Sequence, residues 1–368
     1  MKRFLFFATL FAAVLTGCSK NVQTQDPLDD GTPVAVRFGA SSVKTAVVKS
    51  TGAVQTEWNG QTLNIYGFDK SVTDFSTTPF INNIAAVAPQ GVNKGGIDVL
   101  NPLYNEPFYY VAGKYYDFYG YHIDDAATSK PVGEATRVYV PFTIDGSQDL
   151  MIAMADQTAD IAAAGAQETV TADKAYSAYA ARRGVQPNLL FKHQLARFTF
   201  EIIAGSEAGS DIYVNEITLD SKNSGNLVVV GAGRGLADVA EDKVALSLKE
   251  VGPDGVSQAL TPVKPNTFVA TKDNPVSVGE SLMVIPGETS YKLSIYTSQD
   301  GVATSIDPQE WTLDINSIVG KPEGAVAFDA GYSYKVTVLI YGLEEVKVTA
   351  ELEDWKDGGS TVIDPDAL

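Results

Sequence analysis

Few residues in this chain have the types and spacing that do chemistry. Cys18 is the only thiol among 368 residues. A lone thiol serves as a nucleophile, a redox centre or a point of covalent attachment. The first two uses need a second thiol or a neighbour that lowers the thiol pKa, and the flanking residues offer neither. His122 and His193 are the only histidines. Each sits in a strand pattern beside aromatic or apolar residues, which reads as a satisfied structural side chain and not as a base or ligand. A zinc site of ordinary Cys and His composition therefore lacks ligands. Asp124-Asp125 and Glu344-Glu345 are adjacent carboxylate pairs, and neighbours in a strand point to opposite faces. They read as solvated charge, with an oxygen-lined calcium site built from loops left open. The run "GAGRGLA" at 231–237 is G-x-G-x-G and not the dinucleotide fingerprint, so it reads as a glycine-rich turn. Without a grouped nucleophile, base and orienting residue, the expectation is a protein that is not an enzyme and holds no cofactor or metal. Glycoside hydrolysis by a carboxylate pair about 5 to 9 Å apart ranks last among the readings.

The surroundings of Cys18 decide its use. Lys2 and Arg3 form a short positive region, Phe4 to Leu15 is apolar apart from Thr9, and Thr16 and Gly17 lead into the cysteine. That is the layout of a secretory signal peptide, and the run is shorter than the roughly 20 apolar residues that a spanning helix needs. Leu15-Thr16-Gly17-Cys18 resembles the bacterial lipobox, in which cleavage falls between Gly17 and Cys18 after lipid is placed on the sulfur. The expectation is a leader over 1–17, acyl (palmitate-type) modification at Cys18, and a flexible polar tether over 18–33.

The aromatic run "EPFYYVAGKYYDFYGYH" carries Tyr109, Tyr110, Tyr115, Tyr116, Tyr119 and Tyr121. It reads as two strands around the turn 112–114 with one face in the core. The competing reading is a sugar-stacking or protein-docking patch.

The elements that must position these residues are strands. Short runs of period-two alternation, separated by Gly, Asn, Asp and Pro, mark an antiparallel all-β architecture. Leu63 and Ile65 share one face; so do Val138, Val140 and Phe142, then Tyr291, Leu293 and Ile295, then Tyr334, Val336, Val338 and Ile340. An Ala-rich stretch with Tyr176, Tyr179 and Gly184 as C-cap predicts one short helix. "RRGVQPN" reads as a linker, giving an N-terminal β domain over 34–186 and a C-terminal one over 187–368. A net charge of −18, more acidic still without Lys2 and Arg3, argues against nucleic acid and anionic lipid surfaces as partners.

The ordered segments "DLMIA" (149–153), "LLFKHQLARFTFEI" (189–202), "LMVIPG" (282–287) and "AGYSYKVTVLIYGLEEVKVTAELEDWKDG" (330–358) resemble those of the fimbrillin family of Bacteroidales surface pilins, especially its Mfa-like branch. "EWNGQTLNIYGF" and "YYVAGKYYDFYGYH" resemble it as well. The resemblance implies two tandem transthyretin-like β-sandwich domains with Greek-key-like antiparallel sheets. It also implies export as an outer-membrane lipoprotein and assembly into an adhesive fimbrium with other subunits, homo- or heteropolymeric, facing a host or bacterial receptor.

In that family a protease removes the first strand and a neighbour's C-terminal strand fills the groove, a β-augmentation. The candidate removable strand is "PVAVRFGASSV", with Val34, Val36 and Phe38 on one face and Arg37 pointing away. Lys44 or Lys49, in the loop behind it, is the preferred cut, ahead of Arg37, because a protease draws in extended, exposed backbone. The candidate donor strand is "EEVKVTAELEDW", with Val346, Val348, Ala350 and Leu352 on one face; an ordinary last strand of the chain's own sheet fits it equally. Stalk and tip positions both stay open. The alternative from another class is a monomeric surface lipoprotein that captures glycans beside an outer-membrane nutrient transporter, with the tyrosines as its platform.

Overall fold

Alternation in the sequence becomes alternation of burial wherever the described chain runs extended. The computed structural model describes residues 31–42, 46–48, 53–55, 57–124, 130–302, 308–343 and 345–353. Strands make up 49% and helices 7%, so the protein is all-β. The face residues expected in Thr62–Asp69, Arg137–Thr143, Ser290–Ser298 and Ser333–Gly342 are all buried.

In chain order the principal strands of the first half are β1 (Phe38–Ser42), β2 (Thr62–Asp69), β3 (Ile81–Val87), β4 (Lys94–Ile97), β5 (Tyr116–Ile123), β6 (Arg137–Thr143), β7 (Leu150–Met154) and β8 (Asn188–His193). Seven of them form a sheet in the order β3-β2-β5-β7-β8-β1-β4. Phe38 on β1 and Phe118 on β5 lie three strand spacings apart, roughly 14 Å in a flat sheet. Their ring centroids are nevertheless 5.0 Å apart, edge to face. The sheet must therefore curl around a shared core, which also holds Trp58 and Phe191 in a second edge-to-face pair.

The Ala-rich segment covers this core as two short helices instead of one. The first, α1 (Gln157–Ala163), is capped by Asp156, whose carboxylate accepts from the Thr158 and Ala159 N–H groups. The second, α2 (Ala178–Ala181), follows a 3-10 turn at Ala172–Lys174. Gly165 and Gly184, both at positive φ, stop the two helices. At the second stop the Val185 N–H reaches back to the Ala180 carbonyl, a Schellman closure.

The second half supplies β9 (Ala196–Ala204), β10 (Tyr213–Ser221), β11 (Ser224–Gly231), β12 (Val244–Ser247), β13 (Val276–Val284), β14 (Ser290–Ser298), β15 (Gln309–Asp314), β16 (Ser333–Gly342) and β17 (Glu345–Glu353). Two four-stranded sheets, β13-β9-β16-β17 and β12-β10-β14-β15, make a sandwich. Its centre is an aromatic cluster in which Phe198 of β9 meets Tyr291 of β14 at 5.6 Å and Tyr334 of β16 at 5.3 Å. Phe328 packs against all three. Strand β6 pairs with β11, joining residues from both halves. The glycine-rich run at the end of β11 turns at 232–233 and then returns as a short strand, Gly235–Ala237, paired with β11. Gly231 has φ +95, and a Cβ there would stand 2.3 Å from the Thr136 carbonyl oxygen.

Two features of the pairing bear on the sequence expectation. The sheets are not purely antiparallel, because β1 runs parallel to β8 and β9 runs parallel to β16. The boundary expected at 186/187 falls just before β8, and β8 pairs with β1 and β7 of the first sheet. The supposed linker is also embedded: Val185 is buried, and the Pro187 carbonyl accepts from the Gly39 N–H. Alternation in β8 reports a buried face but not which sheet owns it.

Candidate functional site

The first described strand occupies an interior place in its sheet. Strand β1 lies between β8, paired parallel from Gly39↔Asn188 to Ser42↔Phe191, and β4, paired antiparallel from Phe38↔Ile97 to Ser41↔Lys94. Upstream, the Val36 N–H donates to the Phe108 carbonyl and the Tyr110 N–H to the Val34 carbonyl. Val36, Phe38 and Ala40 enter the core, Val34 is half-buried and the Arg37 side chain is exposed, as the pattern predicts. The Arg37 backbone is held nonetheless, its N–H donating to Gln186 Oε1 at 3.2 Å. A cleft of about 550 Å³ runs beside this segment between Arg37, Ile97, Val99 and Tyr109.

The seat of the strand is tight in space and poor in chemistry. All five residues Phe38–Ser42 are buried, yet four of them are Gly, Ala or Ser. Among the described residues, the buried Ser41 and Ser42 hydroxyls have no hydrogen-bond partner, and neither do Asn188 Oδ1 beside Gly39 or the Tyr110 hydroxyl beside Val34. A buried hydroxyl without a partner costs roughly 1–3 kcal/mol. Retention of the strand thus rests on main-chain bonds and on Val36 and Phe38.

Asp160 of α1 fixes the start of β8. Its Oδ2 accepts from the Tyr176 hydroxyl at 2.5 Å and from the Asn188 N–H at 3.0 Å. Burial pushes this carboxyl up to about 6, against the two hydrogen bonds that pull it down.

The two histidines flank Met151, His122 on β5 and His193 on β8. His193 Nδ1 is 2.6 Å from Asp149 Oδ2, both side chains being fully buried. His122 Nδ1–H donates to the Thr62 carbonyl at 2.9 Å, and Nε2 lies 3.2 Å from Asp124 Oδ1, an ion-pair contact off the line of a hydrogen bond. Asp124 Oδ2 accepts from the Asp149 N–H, linking the two pairs. Burial pulls the His122 pKa down, but Asp124, the Thr62 carbonyl and the Asp149 charge outweigh it and leave it raised. The expectation of solvated charge is wrong for Asp124, which is buried at the end of β5 beside His122, two residues back on the same side of the chain. Asp125 and Glu344 lie outside the described residues.

Strand β17 pairs with β16 along its length, from Gly342↔Glu345 to Ser333↔Glu353, and forms the edge of its sheet. Val346 and Ala350 are buried, and Val348 and Leu352 half-buried. Its outer edge is partly covered, since Val319 bonds to Ala350 and Leu352. Of the aromatic run, Tyr110, Tyr116, Tyr119 and Tyr121 are buried, while Tyr109 is exposed and Tyr115 half-buried. Gly17, Cys18, Lys44 and Lys49 lie outside the described residues. Among those described, no helix is long and apolar enough to cross a membrane.

Strand β4 carries no alternation that would mark it as a partner of β1: "KGGI" has two glycines in the middle, and a Cβ on Gly95 would meet Pro89 at 2.8 Å. Asp160 was likewise missed, being one carboxylate in an Ala-rich stretch.

Among solved structures, the chain is similar to a Bacteroides uniformis protein described as a cell adhesion protein (17% identity, TM-score 0.49, 89% of this chain and 99% of that one). It is also similar to the Porphyromonas gingivalis fimbrilin FimA (10%, 0.41, 89% and 99%) and fimbrial anchor protein Mfa2 (11%, 0.35, 87% and 99%). No curated protein matches it. The model of the fimbrillin-like family matches residues 51–355, most of the chain, and the protein therefore belongs to that family.

Proposed function

We propose that the protein is the precursor of a fimbrial subunit, delivered to the outer surface as a lipoprotein through Cys18 and assembled by exchange of its first strand. Cleavage behind that strand, at Lys44 or Lys49 in preference to Arg37, frees it together with the lipid. A C-terminal strand from a neighbouring subunit then enters the gap.

The observation that carries this reading is the interior position of β1. It is the first described strand, and its removal leaves the edges of β8 and β4 about 10 Å apart, the width of one missing strand. Main-chain groups on both edges would bind any extended segment, while the seats of Val36, Phe38 and Ala40 would choose its side chains. Strand β17 has the matching period with larger residues, Val346, Val348, Ala350 and Leu352. A subunit that keeps β17 on β16 serves as an acceptor at the end of a fibre; one that gives it up stands within the fibre. The family makes the product a structural, adhesive surface component.

The test is limited trypsin digestion of the purified precursor, followed by mass spectrometry and unheated gel electrophoresis. Loss of one N-terminal piece ending at Lys44 or Lys49, with polymers or capture of a peptide spanning 345–353, is expected. A cut product that stays monomeric and refuses the peptide sinks the reading.

A further inference from the structure

A second cleft lies away from the first strand, where the turn before β5 meets the segment between the two short helices. It has a volume of about 380 Å³, within the range of small-molecule sites, ~300–1,000 Å³. Gly113, Lys114 and Tyr115 form one wall, and Thr169, Thr171, Lys174 and Tyr179 the other.

Its lining departs from the acidic balance of the chain. Acidic residues outnumber basic ones 45 to 27 in the chain, yet two lysines and no carboxylate line this cleft. Lys114 shares its charge with Asp69 at 2.7 Å, its side chain still 49% exposed. Lys174 is exposed, and the carboxylate whose charge it shares, Asp173, does not line the cleft. The Tyr179 ring is fixed: its hydroxyl donates to the Thr169 carbonyl at 3.1 Å, and the Arg183 guanidinium stacks 3.7 Å from the ring centroid. Arg183 does not line the cleft, so the ring meets the cleft with surface that the guanidinium leaves free. Tyr115 supplies a second aromatic wall.

We infer that this cleft binds an acidic saccharide, a sugar ring bearing a carboxylate. Aromatic rings take the apolar face of a pyranose. The Thr169 and Thr171 hydroxyls donate to the Ala166 carbonyl and to Asp173, and their remaining lone pairs accept from sugar hydroxyls. Lys174, with Lys114 on the other wall, supplies the cation for the carboxylate. An acidic peptide would use the lysines but, unlike a pyranose, brings no apolar ring face of its own backbone to the two tyrosines. The inference does not depend on strand exchange, because the cleft is complete in a single precursor.

The test uses the full chain as a monomer, with binding followed by saturation-transfer NMR and calorimetry. The probes are 3′-sialyllactose, a glucuronate-terminated disaccharide, and lactose as the neutral control. At least one acidic probe should bind about tenfold or more tighter than lactose, and which one binds separates an animal-type glycan from a uronate polymer. Lys174→Ala should weaken that probe by about tenfold or more, and Thr171→Val should weaken acidic and neutral sugars alike. Both side chains are exposed, so folding, checked by thermal melting, should be unchanged. Lactose binding as well as the acidic probes, no saccharide binding at all, binding of an acidic peptide in their place, or an unchanged affinity in Lys174→Ala would each overturn the inference.

Discussion

At Asp160 the fold holds a carboxyl in surroundings that favour its neutral form. Its value is raised from 3.8 to about 6, chiefly by burial. A carboxyl raised on folding contributes its stability in full below its unfolded value and loses it as pH rises through the folded one. Stability should therefore fall between about pH 4 and pH 6. Asp160→Asn keeps an acceptor for Tyr176 and Asn188 but removes the charge. Urea unfolding should find this variant about 2 kcal/mol more stable than the parent at pH 7.5, less than the roughly 1.4 kcal/mol per pKa unit predicts because an amide oxygen is the weaker acceptor. The gap should close near pH 4; a variant less stable at pH 7.5 would show that the ionised carboxylate is what holds β8. His122 acts with the same sign. Its raised pKa means that protonation stabilises the fold below about 6.5 and that this is lost as pH climbs through the folded value. His122→Gln should cost more at pH 6 than at pH 9, and an equal cost at both would leave the imidazole a merely steric role. That these histidines sit buried in strands was legible from their strand patterns. The partnership with Asp124 and Asp149 was not, because strands β5, β7 and β8 had first to be laid side by side.

Strand β1 shows how an element can be fully buried and still weakly held. Interior strands are usually secured by large β-branched side chains, whereas Gly39 to Ser42 offer small ones, two with hydroxyls that have no partner among the described residues. Ser41→Ala with Ser42→Ala removes both orphaned groups while leaving the main-chain ladder. The double variant should stabilise the precursor by about 1–2 kcal/mol, seen as a higher urea midpoint with unchanged slope. On the strand-exchange reading it should also slow release of the cut N-terminal piece. Stabilisation without slower release would mean that the strand's departure is limited elsewhere. The inward face of this strand was readable from the spacing of Val34, Val36 and Phe38. Its neighbours were not: β8 follows about 150 residues later in the chain, and period-two spacing is silent about partners. The Ala-rich segment was readable as helical but not as two helices, since Gly165 acts as a stop only through its positive φ.

At the scale of the whole molecule the net charge of −18 opposes the association that the proposed function requires. Like-charged subunits repel over a Debye length, about 30 Å at 10 mM salt and about 8 Å at 150 mM. Main-chain pairing in the gap left by β1 is short-ranged and far less sensitive to salt. If growth rests on that pairing, screening removes the opposing force and leaves the attractive one. Light scattering of the protease-treated protein should then show polymer growth accelerating by about tenfold from 10 to 150 mM sodium chloride. Growth that slows over the same range would mean that complementary charges, and not an inserted strand, hold the subunits together. The charge that keeps precursors apart at low ionic strength would in that case be arranged in patches, and substitution of the Lys335–Glu351 pair on the β16–β17 edge would be the first place to find them.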